Sequence, residues 1–162
     1  MIEQVFEFFS GIGDFWALFL VSMSPFIELR AAIPFGILFL GMPWYEAFLI
    51  SFISNCVPIP FIILLARPIF AWLKKTKMFS GFAHKLEAKM MKKSEQVTKY
   101  KIIGLFIFVA IPLPGTGAYS GSLIAALLNM RIKRSLVSIV AGVFVAGVIV
   151  TILSACGVMA FS

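Results

Sequence analysis

The segment from residue 102 to residue 130 places the strongest constraint on how this chain can fold. Both of its ends, IIGLFIFVA and SLIAALLNM, are strongly apolar, but its middle reads IPLPGTGAYSG (Ile111–Gly121), with two prolines and three glycines. Such a composition is typical of a turn. A lysine-rich stretch precedes the segment, and RIKR (Arg131–Arg134) follows it. The chain therefore places a turn inside an apolar segment that lies between two basic clusters.

The composition predicts an integral membrane protein. Of the 162 residues, 61% are hydrophobic and 13% are charged, whereas soluble domains are roughly 45–50% apolar. As one straight helix, residues 102–130 would be roughly 44 Å long, although the hydrocarbon core of a bilayer is about 30 Å thick. A straight span would also put the two basic clusters on opposite sides, against the positive-inside rule.

A re-entrant hairpin removes both conflicts. We predict one arm at Ile102–Ile111, a turn near the membrane midplane, and a second arm at Ala118–Met130 that returns to the cytoplasmic side. Non-helical backbone at this depth is tolerated only where it is buried in protein or lines a water-filled cavity. The turn is therefore expected to line a cavity.

The positive charge is concentrated in residues 74–101, which carry nine lysines against Glu87 and Glu95. The rest of the chain is neutral, with five basic and five acidic residues. The spacing of the apolar residues in this segment predicts an amphipathic helix on the cytoplasmic membrane surface. A nucleic-acid partner is not expected, because membrane segments flank the lysines on both sides. The apolar residues at helical spacing are Phe79, Phe82, Leu86, Met90 and Val97.

The N-terminal half follows the same plan, with the opposite orientation. The charge distribution places Lys74 inside, so the first hairpin opens to the outside, whereas the second opens to the inside. We therefore predict an all-α membrane domain over residues 1–162, with a first repeat at 1–73, the amphipathic helix at 74–101 and an inverted second repeat at 102–162. Such inverted repeats are a plan of transporters. In the first repeat the arms are Phe15–Met23 and a segment ending at Gly41, the turn is SPFIELRAAIPFG (Ser24–Gly36), and the spanning segment is Ala47–Leu73; in the second repeat the spanning segment is Ser135–Phe161.

Glu28 and Arg30, both in the first hairpin, are the leading candidates for a functional site. Charged side chains at membrane depth are costly and mark functional sites by default. At positions i and i+2 the two side chains would diverge on a helix, whereas an extended turn would let both face one cavity. The alternative is a structural ion pair that holds the hairpin.

The second hairpin offers polar groups without charge. Gly115, Thr116, Gly117, Tyr119 and Ser120 provide hydroxyls and backbone N–H groups, which favour anions at the start of a helix. Tight packing of the hairpin is the alternative interpretation.

Asn55 lies beside Pro58 and Pro60, and it either bonds a carbonyl or lines the substrate path. No cofactor or metal is expected, because Cys56, Cys156 and His84 form no recognisable ligand pattern. No nucleophile–base pair is present either, so an enzyme is not expected. The last apolar segment carries two ridges of small residues, which allow close helix packing within the monomer or in a homodimer. The ridges are Ser138, Gly142 and Ala146, and Gly147, Thr151 and Ala155.

The motifs FIELRAAIPFG and IPLPGTGAYSG resemble those of the small multidrug export protein family of bacteria and archaea. That family is distantly similar to the DedA, or SNARE-associated (VTT), membrane proteins. This likeness implies paired re-entrant hairpins in the inner membrane of a prokaryote and proton-coupled movement of lipids such as polyprenyl phosphate. DedA-type proteins carry acidic residues and arginines in different hairpins, whereas Glu28 and Arg30 share the first. Both termini are expected outside, with membrane lipids as partners.

Three functions follow as expectations. The first is a transporter that moves a lipid or amphiphile between the hairpins, with Glu28 as the proton-responsive group and Arg30 as the anion contact. The second is an exporter of small molecules or multidrug cations, with Glu28 as the cation site. The third is a non-transporting assembly factor or a scramblase.

Overall fold

The computed structural model describes residues 13–25, 27–75, 81, 84–85, 88–89, 95–113 and 116–161. These residues contain no strand, so the prediction of an all-helical chain is confirmed for them. Their helices are α1 (Asp14–Met23), α2 (Glu28–Leu38), α3 (Trp44–Cys56), α4 (Pro58–Lys75), α5 (Glu95–Ala110), α6 (Ala118–Leu127) and α7 (Ile132–Phe161).

Two helical segments, Trp44–Ala66 and Ile132–Gly157, are long and apolar enough to cross a membrane. They overlap the two predicted spanning segments, and each begins three residues earlier than predicted, at Trp44 and at Ile132. By contrast, α1 and α6 have 10 residues each. A helix of that length extends about 15 Å, which is about half the thickness of the hydrocarbon core.

The chain divides into two compact units, which we call unit one (Met1–Val57 with Phe144–Ser162) and unit two (Pro58–Val143). Unit one contains α1, α2, α3 and the C-terminal part of α7, and unit two contains α4, α5, α6 and the N-terminal part of α7. The two units have equivalent parts. Each contains a pair of helices (α1 and α2, or α5 and α6) and the first part of the long apolar segment that follows this pair. Each also contains the last part of the other long apolar segment. These units do not coincide with the predicted repeats at 1–73 and 102–162, because each unit contains residues from both. The repeats therefore stay a prediction.

In unit one, α1, α2 and α3 are all in mutual contact. Their shared core contains the buried residues Leu18, Ala32 and Ala47. Gly36 of α2 allows this close approach, because a Cβ there would lie 3.0 Å from both Ala47 Cβ and Leu18 Cδ2. A methyl group at position 36 would force the neighbouring side chains to move.

The break between α1 and α2 is shorter than the predicted turn at Ser24–Gly36. Ser24 is extended (φ −70°, ψ 133°), as expected for a residue that precedes a proline. The helix resumes at Glu28, whose backbone N–H donates to the Ser24 carbonyl at 3.0 Å. Pro34, which we expected in the turn, lies inside α2. The first helix therefore ends at Met23 and the next one begins at Glu28.

In unit two, α6 packs against α4 and α5. Val109 of α5 lies against two glycines, because a Cβ on Gly121 would approach its Cγ2 to 2.6 Å and one on Gly142 would approach its Cβ to 2.8 Å. Small residues of α6 and α7 therefore set the spacing of these helices, as is common in membrane proteins.

The lysine-rich segment is only partly described. Phe79, Phe82, Leu86 and Met90, which carry the predicted amphipathic pattern, lie outside the described residues. Val97 lies in α5, which begins at Glu95 and continues to Ala110. The helix that contains the predicted first arm therefore begins seven residues before Ile102, and the re-entrant hairpin itself stays a prediction.

Candidate substrate-binding site

Glu28 is held in an unusual position at the start of α2. Its side chain is buried, with 8% of the residue exposed, and its backbone has a φ of 53°. Residues other than glycine rarely adopt this left-handed conformation, which costs on the order of 1–3 kcal/mol and clusters at functional sites. The fold therefore fixes a carboxylate in the interior of unit one at a cost in backbone strain.

Arg30 interacts electrostatically with Glu28, but not in the way that we expected. The extended turn was wrong, since both residues belong to α2. The carboxylate of Glu28 is buried and the guanidinium of Arg30 is half-buried, and both residues lie in the first turn of α2. We call these two residues the charged pair.

An apolar groove of about 500 Å³ lies between α3 and the C-terminal part of α7. We call it the aromatic groove, and the residues that line it are almost entirely apolar. The Phe144 ring meets Phe48 and Phe52 edge to face, with centroid separations of 5.6 Å and 5.8 Å. Pockets of about 300–1,000 Å³ suit drug-sized molecules. The residues that line the groove are Trp44, Phe48, Phe144, Val148, Thr151, Ile152 and Ala155.

The aromatic groove adjoins the start of α2 through Gly147 of α7. A Cβ at position 147 would lie 2.8 Å from Phe48 Cε2 and 3.2 Å from Leu29 Cδ1. Phe48 forms a wall of the groove, and Leu29 lies between Glu28 and Arg30 in the sequence. Leu29, which lies between the two charged residues, therefore packs against Gly147 of α7, as does Phe48 of the groove wall.

A second polar feature of unit one joins α1 to α3 and is formed by Ser22, Ser51, Ser54 and Asn55, which we call the polar seam. The Ser22 hydroxyl donates to the Ser51 carbonyl at 2.8 Å, and the Asn55 side-chain amide donates to the Ser22 carbonyl at 3.2 Å. All four residues are completely buried. Asn55 thus bonds a carbonyl in the last turn of α1, whereas the predicted partner was a carbonyl freed by Pro58 or Pro60; a place for Asn55 on a substrate path stays a prediction.

The polar seam keeps unused hydrogen-bonding capacity. Within the described part of the chain, Ser51 Oγ and Asn55 Oδ1 have no hydrogen-bond partner. A buried polar atom without a partner costs about 1–3 kcal/mol. Since Ser51 and Asn55 are four residues apart on α3, both atoms belong to one face of that helix.

The predicted site residues of the second hairpin belong to unit two and are used differently. Gly115 lies outside the described residues. The single hydrogen of the Thr116 hydroxyl is shared between the carbonyls of Ile111 and Leu113, at 2.9 Å and 2.8 Å; whether Thr116 serves packing or binding stays a prediction. Gly117 has a φ of 135° and precedes α6, in which Tyr119 and Ser120 are half-buried. Glu28, Arg30 and Asn55 belong to unit one, so the predicted residues fall into two separate sets.

Sequence reasoning did not identify the aromatic groove. Phe48 and Phe52 recur at four-residue spacing, as do Phe144, Val148 and Ile152, but this spacing alone does not reveal which two helix faces meet. Among the described residues, no group of three or more histidines, cysteines or acidic residues could hold a metal ion. The described residues of unit one thus offer apolar contact, aromatic faces, the charged pair and the polar seam.

The described residues form helices and no strand, and two of their apolar segments are long enough to span a membrane, a combination typical of helical membrane proteins. A family model described as "Putative small multi-drug export protein" matches residues 28–149, about three quarters of the chain, and the chain belongs to this family. Neither a curated protein nor a solved structure matches the chain. The family predicted from the two motifs is thereby confirmed, and the more distant likeness to DedA proteins stays a prediction.

Proposed function

We propose that this protein exports small amphiphilic molecules, in particular lipophilic cations, and that they bind in the aromatic groove. The observation that carries this proposal is the groove itself, a space of about 500 Å³ with walls of Trp44, Phe48 and Phe144. The name of the family supports multidrug export in general.

The composition of the groove suits a broad range of ligands. Burial of apolar surface contributes roughly 25 cal/mol per Å² and requires no particular hydrogen-bond pattern. Aromatic faces add cation–π attraction, worth about 0.5–2 kcal/mol depending on how far water is excluded. A lipophilic cation gains from both effects, whereas a strongly hydrated sugar or amino acid gains from neither.

Glu28 supplies the negative charge in this proposal, and Arg30 is its resident counter-ion. A cationic substrate near Glu28 would compete with Arg30 and with a proton for the same carboxylate. Binding of substrate and binding of a proton would then be linked reciprocally, which is the thermodynamic requirement for proton-coupled export. The burial of Glu28 and its left-handed backbone support this role.

The proposed route depends on two re-entrant hairpins, α1–α2 and α5–α6, in an inverted repeat. The short lengths of α1 and α6 and the equivalent make-up of the two units support it. In transporters of this plan, half-helices end near the bilayer midplane and the two repeats give access from opposite sides. We place the protein in the inner membrane of a prokaryote as a multi-pass protein with both termini outside.

Lipid translocation is the second candidate, because the nearly complete lack of polar surface in the aromatic groove also suits an acyl chain. In that case Arg30 would contact the phosphate of the headgroup. An assembly factor is separated from both candidates by the absence of any flux, and a scramblase by lipid movement that does not depend on the pH gradient.

The test uses proteoliposomes that contain the full chain and an imposed pH gradient. We expect uptake of tetraphenylphosphonium that stops when the gradient is collapsed, and slower uptake for Phe144→Ala. The same vesicles, loaded with a fluorescent phospholipid, report lipid movement between leaflets. Lipid movement without cation flux would favour the second candidate, and absence of both from a well-folded protein would exclude transport.

A further inference from the structure

A second groove, of about 450 Å³, lies in unit two between α5 and the N-terminal part of α7. We call it the basic groove, because Lys133 and Arg134 line one part of it while the rest of its lining is almost wholly apolar. Both cationic side chains are exposed. The other residues of its lining are Ile102, Ile103, Phe106, Val137, Ser138 and Ala141.

The polar groups in the wall of the basic groove are already used inside the protein. The Ser138 hydroxyl donates to the Ile102 carbonyl at 2.7 Å. Among the residues that the structure describes, none that lines this groove is acidic, so the charge that they present is positive. Recognition of a ligand here would therefore rest on two cations and on apolar contact.

The order of these residues along α7 gives the groove a direction. Lys133 and Arg134 are the second and third residues of the apolar segment Ile132–Gly157. The two cations therefore lie at one end of a candidate span, where lipid headgroups are found. Val137 and Ala141 follow at four-residue steps, about one helical turn each, and lead toward the middle of the span. Val137 is 69% exposed and Ile103 of α5 is 63% exposed, so the apolar part opens toward the surroundings.

We propose that the basic groove binds an anionic phospholipid, with the phosphate on Lys133 and Arg134 and an acyl chain along Phe106, Val137 and Ala141. The two cations of the groove match the phosphate of such a lipid, and the apolar part of the groove matches its acyl chain. Arginine binds phosphate with two parallel hydrogen bonds, and basic residues at the membrane surface attract anionic lipids. This site is independent of the proposed export function, because it involves only unit two.

Native mass spectrometry of the full chain, purified with a mixture of phosphatidylglycerol and phosphatidylcholine, tests the proposal. We expect the parent protein to retain phosphatidylglycerol with about a thirtyfold preference, the ratio that two basic residues at the membrane surface would give. The double variant Lys133→Gln/Arg134→Gln should lose that preference. Ala141→Trp, which fills the apolar part, should reduce the amount of either lipid retained.

The matched control is Lys85→Gln/Arg131→Gln, which removes two other exposed cations that do not line the groove. It should keep the preference of the parent protein. An equal loss in both double variants would indicate general attraction to the charged surface and would overturn the proposal. Absence of any preference in the parent would overturn it as well, as would displacement of the lipid by inorganic phosphate alone.

Thermal unfolding in nanodiscs of each lipid provides a second readout. The parent and the control should unfold at a higher temperature in phosphatidylglycerol than in phosphatidylcholine, because a ligand that binds the folded state stabilises it. The Lys133→Gln/Arg134→Gln variant should unfold at the same temperature in both. A lipid-dependent difference that persists in this variant would contradict the proposed site.

Discussion

The ring of Phe48 on α3 packs directly on the backbone of α7 at Gly147, where a Cβ would lie 2.8 Å from Phe48 Cε2. Because Gly147 has no side chain, Phe48 can occupy its position in the wall of the aromatic groove. The same position touches Leu29, between the two charged residues of α2. Packing at Gly147 thus links the shape of the groove to the start of α2.

Substitution of Gly147 by valine should displace Phe48 and destabilise the protein. Overpacking of this kind costs about 1–3 kcal/mol, so the midpoint of thermal unfolding should fall and tetraphenylphosphonium should bind more weakly. Gly157→Val is the matched control on the same helix, because a Cβ there has no neighbour within 4 Å. Equal effects of both variants would mean that valine harms α7 itself and that the contact with Phe48 is unimportant.

Phe144→Ala should weaken the binding of lipophilic cations about tenfold, as expected when an aromatic face that contacts a desolvated cation is lost. Phe144→Leu keeps most of the apolar surface and should have a smaller effect on cations, with little effect on a neutral ligand of the same size. Leu153→Ala is the control, since Leu153 is exposed on α7 outside the groove. Equilibrium binding in detergent measures all three, and unchanged affinity in Phe144→Ala would exclude the groove as the site.

Two serines of the polar seam should respond oppositely to the same substitution. Ser22→Ala removes the hydrogen bond to the Ser51 carbonyl, so we expect a loss of about 1 kcal/mol in the free energy of unfolding. Ser51→Ala removes a buried hydroxyl that has no partner within the described residues, so stability should stay the same or rise. Chemical denaturation compares the two variants. A loss of stability in Ser51→Ala as large as that in Ser22→Ala would mean that Ser51 Oγ is bonded in the folded protein.

Glu28→Gln should fold but should no longer change its affinity for a lipophilic cation with pH. In the parent protein, protonation neutralises the carboxylate, so cation binding should weaken as the pH falls and recover as it rises. Glu28→Asp should keep part of this dependence. Glu46→Gln, an exposed carboxylate on α3, is the control and should behave like the parent. A persistent pH dependence in Glu28→Gln would assign the effect to another group.

The inverted repeat predicts on which side of the membrane single introduced cysteines become labelled. In a background with Cys56 and Cys156 replaced by serine, a cysteine at Glu46 should react with an impermeant reagent from outside. Cysteines at Lys85 and Arg131 should react only after the membrane is opened. All three native residues are exposed on the protein surface. Labelling of positions 46 and 131 from the same side would contradict the inverted arrangement.

The sequence predicted the helical class and the ends of several helices for physical reasons that act locally. Proline at position 25 excludes Ser24 from a helix, and the glycine at position 117 precedes α6 with a positive φ. Apolar length alone identified the two candidate spans. These features depend on a few neighbouring residues and on the thickness of the membrane.

The parts that could not be predicted depend on contacts between distant segments. The aromatic groove forms only where α3 meets α7, and helical spacing in either segment does not name its partner. The left-handed backbone of Glu28 has no sequence signal, because glutamate shows no preference for that conformation. We therefore expected an extended turn, whereas the protein combines a helix with one strained residue at its start.

The composition of the two units has a consequence for biosynthesis. Unit one consists of Met1–Val57 together with Phe144–Ser162, whereas unit two ends at Val143. A ribosome makes the chain from its N-terminus, so the first three helices lack part of their packing surface until the last segment is synthesised, and the later unit is complete first. A chain that stops after Val143 would thus retain every residue of unit two and leave α1, α2 and α3 open to capture by chaperones and proteases.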